Sequence, residues 1–306
     1  MTRSLTGRPG AVAVAGALTI AFSAILVKLA DVEPATAAIF RCLYALPVLG
    51  LLAWLEDRRY GPRPLRERRL AIPAGIFFAA DLIFWHHSIA DVGAGLATVL
   101  GNTQVIVVPF VAWLVLGERV SVRLLAALPL VCGGVVLISG VLETGAYGDH
   151  PIRGVVYGVL TGLSYAGFIL VLRQAGADLR RPAGPLFDAT AVATVAALIA
   201  GLAVGEADLV PTWPAHGWLL VLALSSQVLG WLLITVSLPR LPAALTSVTL
   251  TIQPVGSVFL GVILLGESPS LLQLAGVVCI VTGLVAIALR RRVGSVHERA
   301  ARPARA

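Results

Sequence analysis

The chain has 306 residues, 58% of them hydrophobic and only 13% charged, with a mean hydropathy of +0.92. A soluble domain of this length needs far more charge to cover its surface. The net charge of +7 comes from 23 basic residues, all arginine except Lys28, set mostly in short gaps between apolar runs. No basic stripe interleaved with aromatics occurs, so no nucleic-acid partner is expected.

In chain order, ten apolar segments can be marked: 10–30, 34–55, 70–90, 92–116, 122–142, 153–173, 184–204, 216–237, 241–265 and 269–289. A helical span needs roughly 20 mostly apolar residues, and each segment is of that order. The runs are continuous, which excludes the alternating pattern of a membrane β-barrel. Arg3 and Arg8 precede the first run as in a signal peptide, but the run is too long and no small-residue cleavage site is clear. It reads as a retained first span. Cys42, Cys132 and Cys279 lie in apolar runs at no metal-ligand spacing, and read as small packing residues. Membrane lipid is therefore the solvent of most of this surface.

Polar groups inside these spans are costly and need a partner or water. Lys28 is expected to snorkel toward Asp31. Arg41 and Asp81 lie at similar depths, ~10 and ~13 Å below the outer ends of the second and third spans. An ion pair between them is expected, with two readings open: a lock between the two spans, or groups that face a cavity and meet a solute. Trp85 is one turn from Asp81, with Ser88 beyond it. Gln227 and Trp231 repeat the Asp81/Trp85 spacing in the eighth span. Two indoles and two polar groups either pack helices or wall a cavity suited to an amphipathic metabolite. His86 and His87 read as an interfacial polar cluster, with His87 four residues from Asp91, and a proton relay as the other reading. Asn102, Thr103 and Gln104 in the fourth span, with Thr249, Thr251 and Gln253 in the ninth, serve interhelical hydrogen bonds or line the cavity. Asp188, at about the repeat position of Arg41, caps the seventh helix or gates its mouth. Glu118 and Glu267 are expected to bond the first turn of the next helix. No set of side chains at metal-ligand spacing is present, and no cofactor is called for.

With the N-terminus in the cytoplasm, 20 of the 23 basic residues fall on the inner side and only Arg153 on the outer. That asymmetry sets the orientation and favours an even span count, with both termini cytoplasmic. The chain also repeats itself. Residues 94–118 align without a gap on 243–267, matching Gln104 to Gln253 and Gly117-Glu118 to Gly266-Glu267. Each unit carries five spans, an odd number, so the second enters the membrane upside down. Inverted repeats of this kind place a solute site near the midplane between the halves. The fold class expected is an all-α membrane protein: ten transmembrane helices built as two inverted five-helix repeats, residues 1–142 and 153–290, followed by a basic cytoplasmic tail, 291–306.

Several motifs carry a resemblance. Two apolar helices close on Val115-Leu116-Gly117-Glu118 and Leu264-Leu265-Gly266-Glu267, the helices that follow carry Gly133-Gly134 and Thr282-Gly283, and Phe40-Arg41 opens the second span. Over residues 10–290 the chain resembles the EamA family of the drug/metabolite transporter superfamily. In one place it departs from the family pattern: Pro254 stands thirteen residues before Glu267, but Val105 holds the matching place in the first copy, with Pro109 a turn later. The resemblance implies a bacterial inner-membrane secondary transporter that exports a small-molecule solute by alternating access. Candidate solute contacts are Asp81, Trp85, Gln227, Trp231, Arg41, Asn102, Gln104 and Gln253. No G-x-x-x-x-G-K-[ST] loop occurs, so the energy source is an ion gradient, a coupling proton for instance, or transport is facilitated. A membrane enzyme would need convergent nucleophile, base or metal ligands, and a receptor a soluble output domain; neither is evident.

Overall fold

The structure is a computed structural model that describes residues 9–104, 106–107, 122–175, 178, 180–237 and 243–289. Glu118, Val105, Pro109, Arg240 and the tail lie outside these residues. The described segments are helical: α1 Pro9–Ala21, α2 Ser23–Ala30, α3 Pro34–Tyr60, α4 Leu65–Gly101, α5 Val122–Ile138, α6 Pro151–Ala175, α7 Ala183–Val204, α8 Ala215–Leu222, a π-helix Ala223–Gly230, α9 Trp231–Ser237, α10 Ala243–Leu265 and α11 Leu271–Leu289. Hydrocarbon offers no hydrogen bonds to the backbone, so apolar runs satisfy their own amides as helices. Proline supplies the start of α3, where Pro34 occupies the first turn and needs no N–H partner.

Six stretches are long and apolar enough to cross a membrane: Pro9–Ala30, Pro34–Tyr60, Leu65–Gly101, Pro151–Leu172, Ala183–Val204 and Ala215–Ser237. Leu125–Ile138, Ile252–Leu265 and Leu271–Ala286 are shorter apolar helices. The expected third and fourth spans meet inside α4, where Gly93 breaks the helix with φ +86°. The eighth span is not one α-helix, because its middle eight residues form the π-helix. The hydrophobic runs located both segments, but hydropathy carries no signal for these local changes in winding.

The helices pack in pairs: α4 along α6, α3 along α7, α5 along α11, and α1 against α9 and the π-helix. α10 touches α1 and α4. Glycines set the close approach of α5 and α11. A Cβ at Gly134 would stand 2.7 Å from the carbonyl oxygen of Gly276, and one at Gly276 would stand 2.6 Å from that of Gly134. Small residues at such crossings let backbones meet where the surrounding lipid gives no hydrophobic drive. Gly133 faces open space instead. Gly134→Ala is expected to lower the thermal unfolding temperature in detergent by an amount equivalent to about 1–3 kcal/mol of overpacking. Gly133→Ala should hold or raise it, since alanine favours helix by about 1 kcal/mol. Equal behaviour of the two variants would disprove the contact.

Polar bonds tie α3 to α7 at both ends. At one end Glu56 accepts from the amides of Ala183 and Gly184 at 2.9 and 2.8 Å. Beside it Arg63 meets Asp188 at 2.8 Å, and Arg181 donates to the carbonyl oxygens of Tyr60 and Gly61. Asp188 therefore pairs with an arginine, and the cap expected of it is supplied by Glu56. At the other end Thr36 donates to the Glu206 carbonyl oxygen at 2.8 Å and accepts from the amide of Asp208 at 2.9 Å.

Candidate functional site

The middle of the bundle holds a buried polar and aromatic layer. Arg41 reaches it from α3, Asp81 and Trp85 from α4, Tyr165 and Phe168 from α6, Thr190 from α7, Gln227 from the π-helix and Trp231 from the start of α9. Arg41 is 3% exposed. Its Nε donates to Oε1 of Gln227 at 3.1 Å, and its guanidinium carbon lies 5.6 Å from the centroid of the Trp85 ring. The amide nitrogen of Gln227 donates in turn to the Thr190 hydroxyl at 3.2 Å. A buried cation in a membrane span is thus met by one amide acceptor and one aromatic face.

The ion pair expected between Arg41 and Asp81 is not formed. The Nε of the guanidinium turns to Gln227 instead. His87 meets Glu206 at 3.2 Å and stacks on Tyr157 at 4.7 Å, and so does not turn to Asp91. Asp91 instead takes both sides of Arg153, at 2.8 and 2.6 Å. Lys28 forms no ion pair with Asp31 and lines a cleft of about 430 Å³ with Tyr147 and Asp149.

Trp231 is held edge-on to three rings, Phe168 at 5.4 Å and Phe78 and Tyr165 at 6.1 Å each. Phe78 and Phe168 stack at 4.3 Å. Trp85 and Trp231 share no ring contact; Arg41 reaches the Trp85 ring and Gln227. The layer therefore joins Arg41, Trp85 and Gln227 directly, with Asp81 and Trp231 around them. Asn102, Gln104 and Gln253 are buried, but among the described residues no hydrogen bond links them to this layer. Asn102 donates back to the Thr98 carbonyl oxygen at 2.8 Å, and Thr103 to that of Leu100 at 2.6 Å. Their amides and hydroxyls serve the end of α4. The side chains of Thr249 and Thr251 lie outside the described residues.

Sequence reasoning missed Thr190 and Tyr165. For Thr190 the repeat gives only a range: the offset is 149 residues from Glu118 to Glu267 and 146 from Asp81 to Gln227, which carries Arg41 to between Phe187 and Thr190. Gln227 thus bridges α3 and α7 through Arg41 and Thr190. No comparable pattern marks Tyr165. The π-helix that carries Gln227 is also a winding that recurs at functional positions inside α-helices.

Glu267 has a different partner from the one expected. Its carboxylate accepts from the amides of Ala94 at 2.5 Å and Gly95 at 3.1 Å. These open the short helix after Gly93, in the first half of the chain, not the helix that follows Glu267. Gly93, at φ +86°, sits so close that a Cβ there would lie 2.7 Å from the Glu267 Oε1 atom. Gly266, at φ +67°, turns the chain out of α10 and sends the carboxylate across the bundle. Gly266-Glu267 is therefore a clamp between halves.

Among the described residues no cluster of His, Cys, Asp or Glu suits a metal ion. A second cleft of about 430 Å³ lies between α4 and α7, apolar along Ile76, Ala80, Ile83 and Ala200, with His87 and Glu206 at one end.

No curated protein matches the chain. A solved structure described only as "Crystal structure of protein" shares the fold, with a TM-score of 0.59 and 14% identity over 97% of this chain and 99% of that one. The profile of the EamA-like transporter family matches twice, over residues 9–140 and 152–289. Matched in both halves, and built of helices that can cross a membrane, the chain belongs to the EamA-like transporter family and is a multi-pass membrane transporter.

Proposed function

We propose that the chain is a secondary transporter of the bacterial inner membrane that exports a small solute by alternating access around the Arg41–Gln227 layer. The observation that carries this reading is the bond from Arg41 to Gln227, because it joins the two matched halves through charged and polar groups deep in the bundle. Such groups are expensive in a membrane and mark solute paths. Asp81, Trp85 and Trp231 complete the walls. The polar groups of Asn102, Gln104 and Gln253 form a second layer nearby that a moving solute meets. Among the described residues the layer holds no set of groups for bond-breaking chemistry, which favours transport over catalysis.

Ten spans in two inverted five-helix units, residues 1–142 and 153–290, accommodate the six long and three shorter apolar helices. The paired contacts support the same layout: Gly134 meets Gly276, and Gly283 meets Val131, whose Cγ2 is 2.5 Å from a Cβ built there, with the Ala127 carbonyl oxygen at 3.7 Å. Both termini are then cytoplasmic, and the energy comes from an ion gradient, a proton gradient for instance, or transport is facilitated. Rocking of one unit on the other must break the α3–α7 bonds at one end while the other holds.

The test is uptake and counterflow of a metabolite panel in proteoliposomes, with a proton gradient imposed or collapsed. Saturable flux that stops with Gln227→Leu supports the reading, and absence of flux for every solute overturns it. Reporter fusions after residue 145 and after the C-terminus should report opposite sides of the membrane. The same readout at both would overturn the ten-span layout.

A further inference from the structure

The cleft between α4 and α7 is a wedge. The two helices touch at Gly75, where a Cβ would stand 2.7 Å from the Ala189 carbonyl oxygen. Beyond that crossing they part, and a cavity of about 430 Å³ opens between Ile76, Ala80 and Ile83 on α4 and Ala196, Ala200 and Val204 on α7. The only polar side chains along it are His87, Tyr157 and Glu206, at the end away from Gly75. Ile76 is 54% exposed and Val204 72%, so the wedge opens sideways toward lipid. None of the Arg41–Gln227 layer lines it, so its occupant stands or falls apart from the solute.

From Ile76 to His87 the cleft runs ~16 Å along α4 at a rise of about 1.5 Å per residue. That is about half of a hydrocarbon core of ~30 Å, the depth of one leaflet. α7 has the length and apolarity to cross the membrane and ends at Val204, so Glu206, just beyond, stands where hydrocarbon gives way to headgroups. There Oε2 of Glu206 meets Nε2 of His87 at 3.2 Å, and the His87 ring stacks on Tyr157 at 4.7 Å. Among the described residues Oε1 of Glu206 has no hydrogen-bond partner, and no lysine or arginine lines the cleft. A carboxylate offers only acceptors. The polar end therefore suits a cationic donor and gives an anionic headgroup no fixed cation.

We infer that this wedge holds one phosphatidylethanolamine molecule of the bilayer, with an acyl chain lying from Glu206 toward Gly75 and its ammonium on Oε1 of Glu206. A void along the cleft would cost its walls their dispersion contacts, and an acyl chain restores them. Acyl chains are already in an apolar medium, so every phospholipid gains about the same from that filling, and selection falls to the headgroup. Phosphatidylcholine carries the positive charge but has no N–H to donate. Phosphatidylglycerol has no positive charge and sets a phosphate beside the carboxylate. α4 belongs to the first matched half of the chain and α7 to the second, so the lipid joins the halves beside the His87–Glu206 pair.

The experiment is native mass spectrometry of the purified full chain in detergent, titrated with the three lipids carrying identical acyl chains, and it reads the affinity of the first lipid bound. Phosphatidylethanolamine should bind about three- to tenfold more tightly than phosphatidylcholine, as expected for one charged hydrogen bond at a part-exposed site, and phosphatidylglycerol should bind no better than phosphatidylcholine. Glu206→Gln, which keeps an acceptor for His87 and loses the charge, should bring phosphatidylethanolamine down to the level of phosphatidylcholine. Ala80→Leu, which fills the middle of the wedge from α4, should weaken phosphatidylethanolamine by at least about threefold, the loss of the same headgroup bond. Thermal unfolding without lipid checks that this variant is folded; should it not fold, Ala200→Leu fills the same space from α7 and Glu206→Gln still decides. Equal binding of phosphatidylethanolamine and phosphatidylcholine by the unaltered chain, or a preference for phosphatidylglycerol, overturns the inference. So does a phosphatidylethanolamine preference that survives Glu206→Gln, or binding that a folded wedge-filling variant leaves unchanged.

Discussion

Glu267→Ala is expected to destabilise the folded protein more than any substitution in the Arg41–Gln227 layer. The carboxylate is 3% exposed and accepts from two backbone amides, those of Ala94 and Gly95. Both belong to the first turn of a helix, where amides lack intrahelical partners and the helix dipole favours negative charge. The site is buried within the protein, and an alanine there offers the two amides no acceptor. Two buried N–H groups left unpaired cost about 1–3 kcal/mol each, so about 2–6 kcal/mol together. The measurement is the temperature of half-loss of monodisperse protein in detergent, alongside abundance in the membrane. Glu267→Gln keeps one acceptor oxygen and should fall between wild type and Glu267→Ala. An unfolding temperature for Glu267→Ala equal to that of wild type would disprove the clamp.

Gln227→Leu is expected to have the largest effect on transport. The substitution keeps the side-chain volume and removes the acceptor of the Arg41 Nε bond and the donor to Thr190. A hydrogen bond to a charged group contributes about 1.5–3 kcal/mol, which corresponds to about a 10- to 150-fold loss of apparent affinity. Arg41 and Gln227 act through one contact, so their losses should not multiply. The check is a double-mutant cycle on the initial flux of whichever solute the proteoliposome panel identifies. Gln227→Leu and Arg41→Met should each fall far below wild type, and the double variant no further than Arg41→Met alone. Multiplying losses would mean that the two residues serve the solute separately and that their bond is incidental. Normal flux in Gln227→Leu would move attention to the layer of Asn102, Gln104 and Gln253.

The amino-acid sequence by itself determined the helical class, the approximate place of nearly every described helix, and the doubling of the chain. These depend on quantities that add along a segment: apolar runs for helices in lipid and a nearly constant offset, 146 to 149 residues, for the repeat. It also singled out Arg41, Asp81, Trp85, Gln227 and Trp231, because a polar or charged group in an apolar run is conspicuous whatever it touches. Tertiary structure alone decided what each of them touches. Arg41 and Asp81 match in depth, but depth says nothing about rotation around the bundle axis, and the guanidinium turns to Gln227. The same limit applies to Glu267, where the nearest helix N-terminus along the chain is not the nearest in space. Asp91 and His87, four residues apart, find Arg153 and Glu206 on other elements, because in a bundle of long helices most side chains face a neighbour distant in sequence. Hydropathy registers neither the φ of Gly93 nor the extra residue per turn between Ala223 and Gly230, since both change backbone geometry without changing composition, and they are what bring the Glu267 clamp and the Gln227 amide into place.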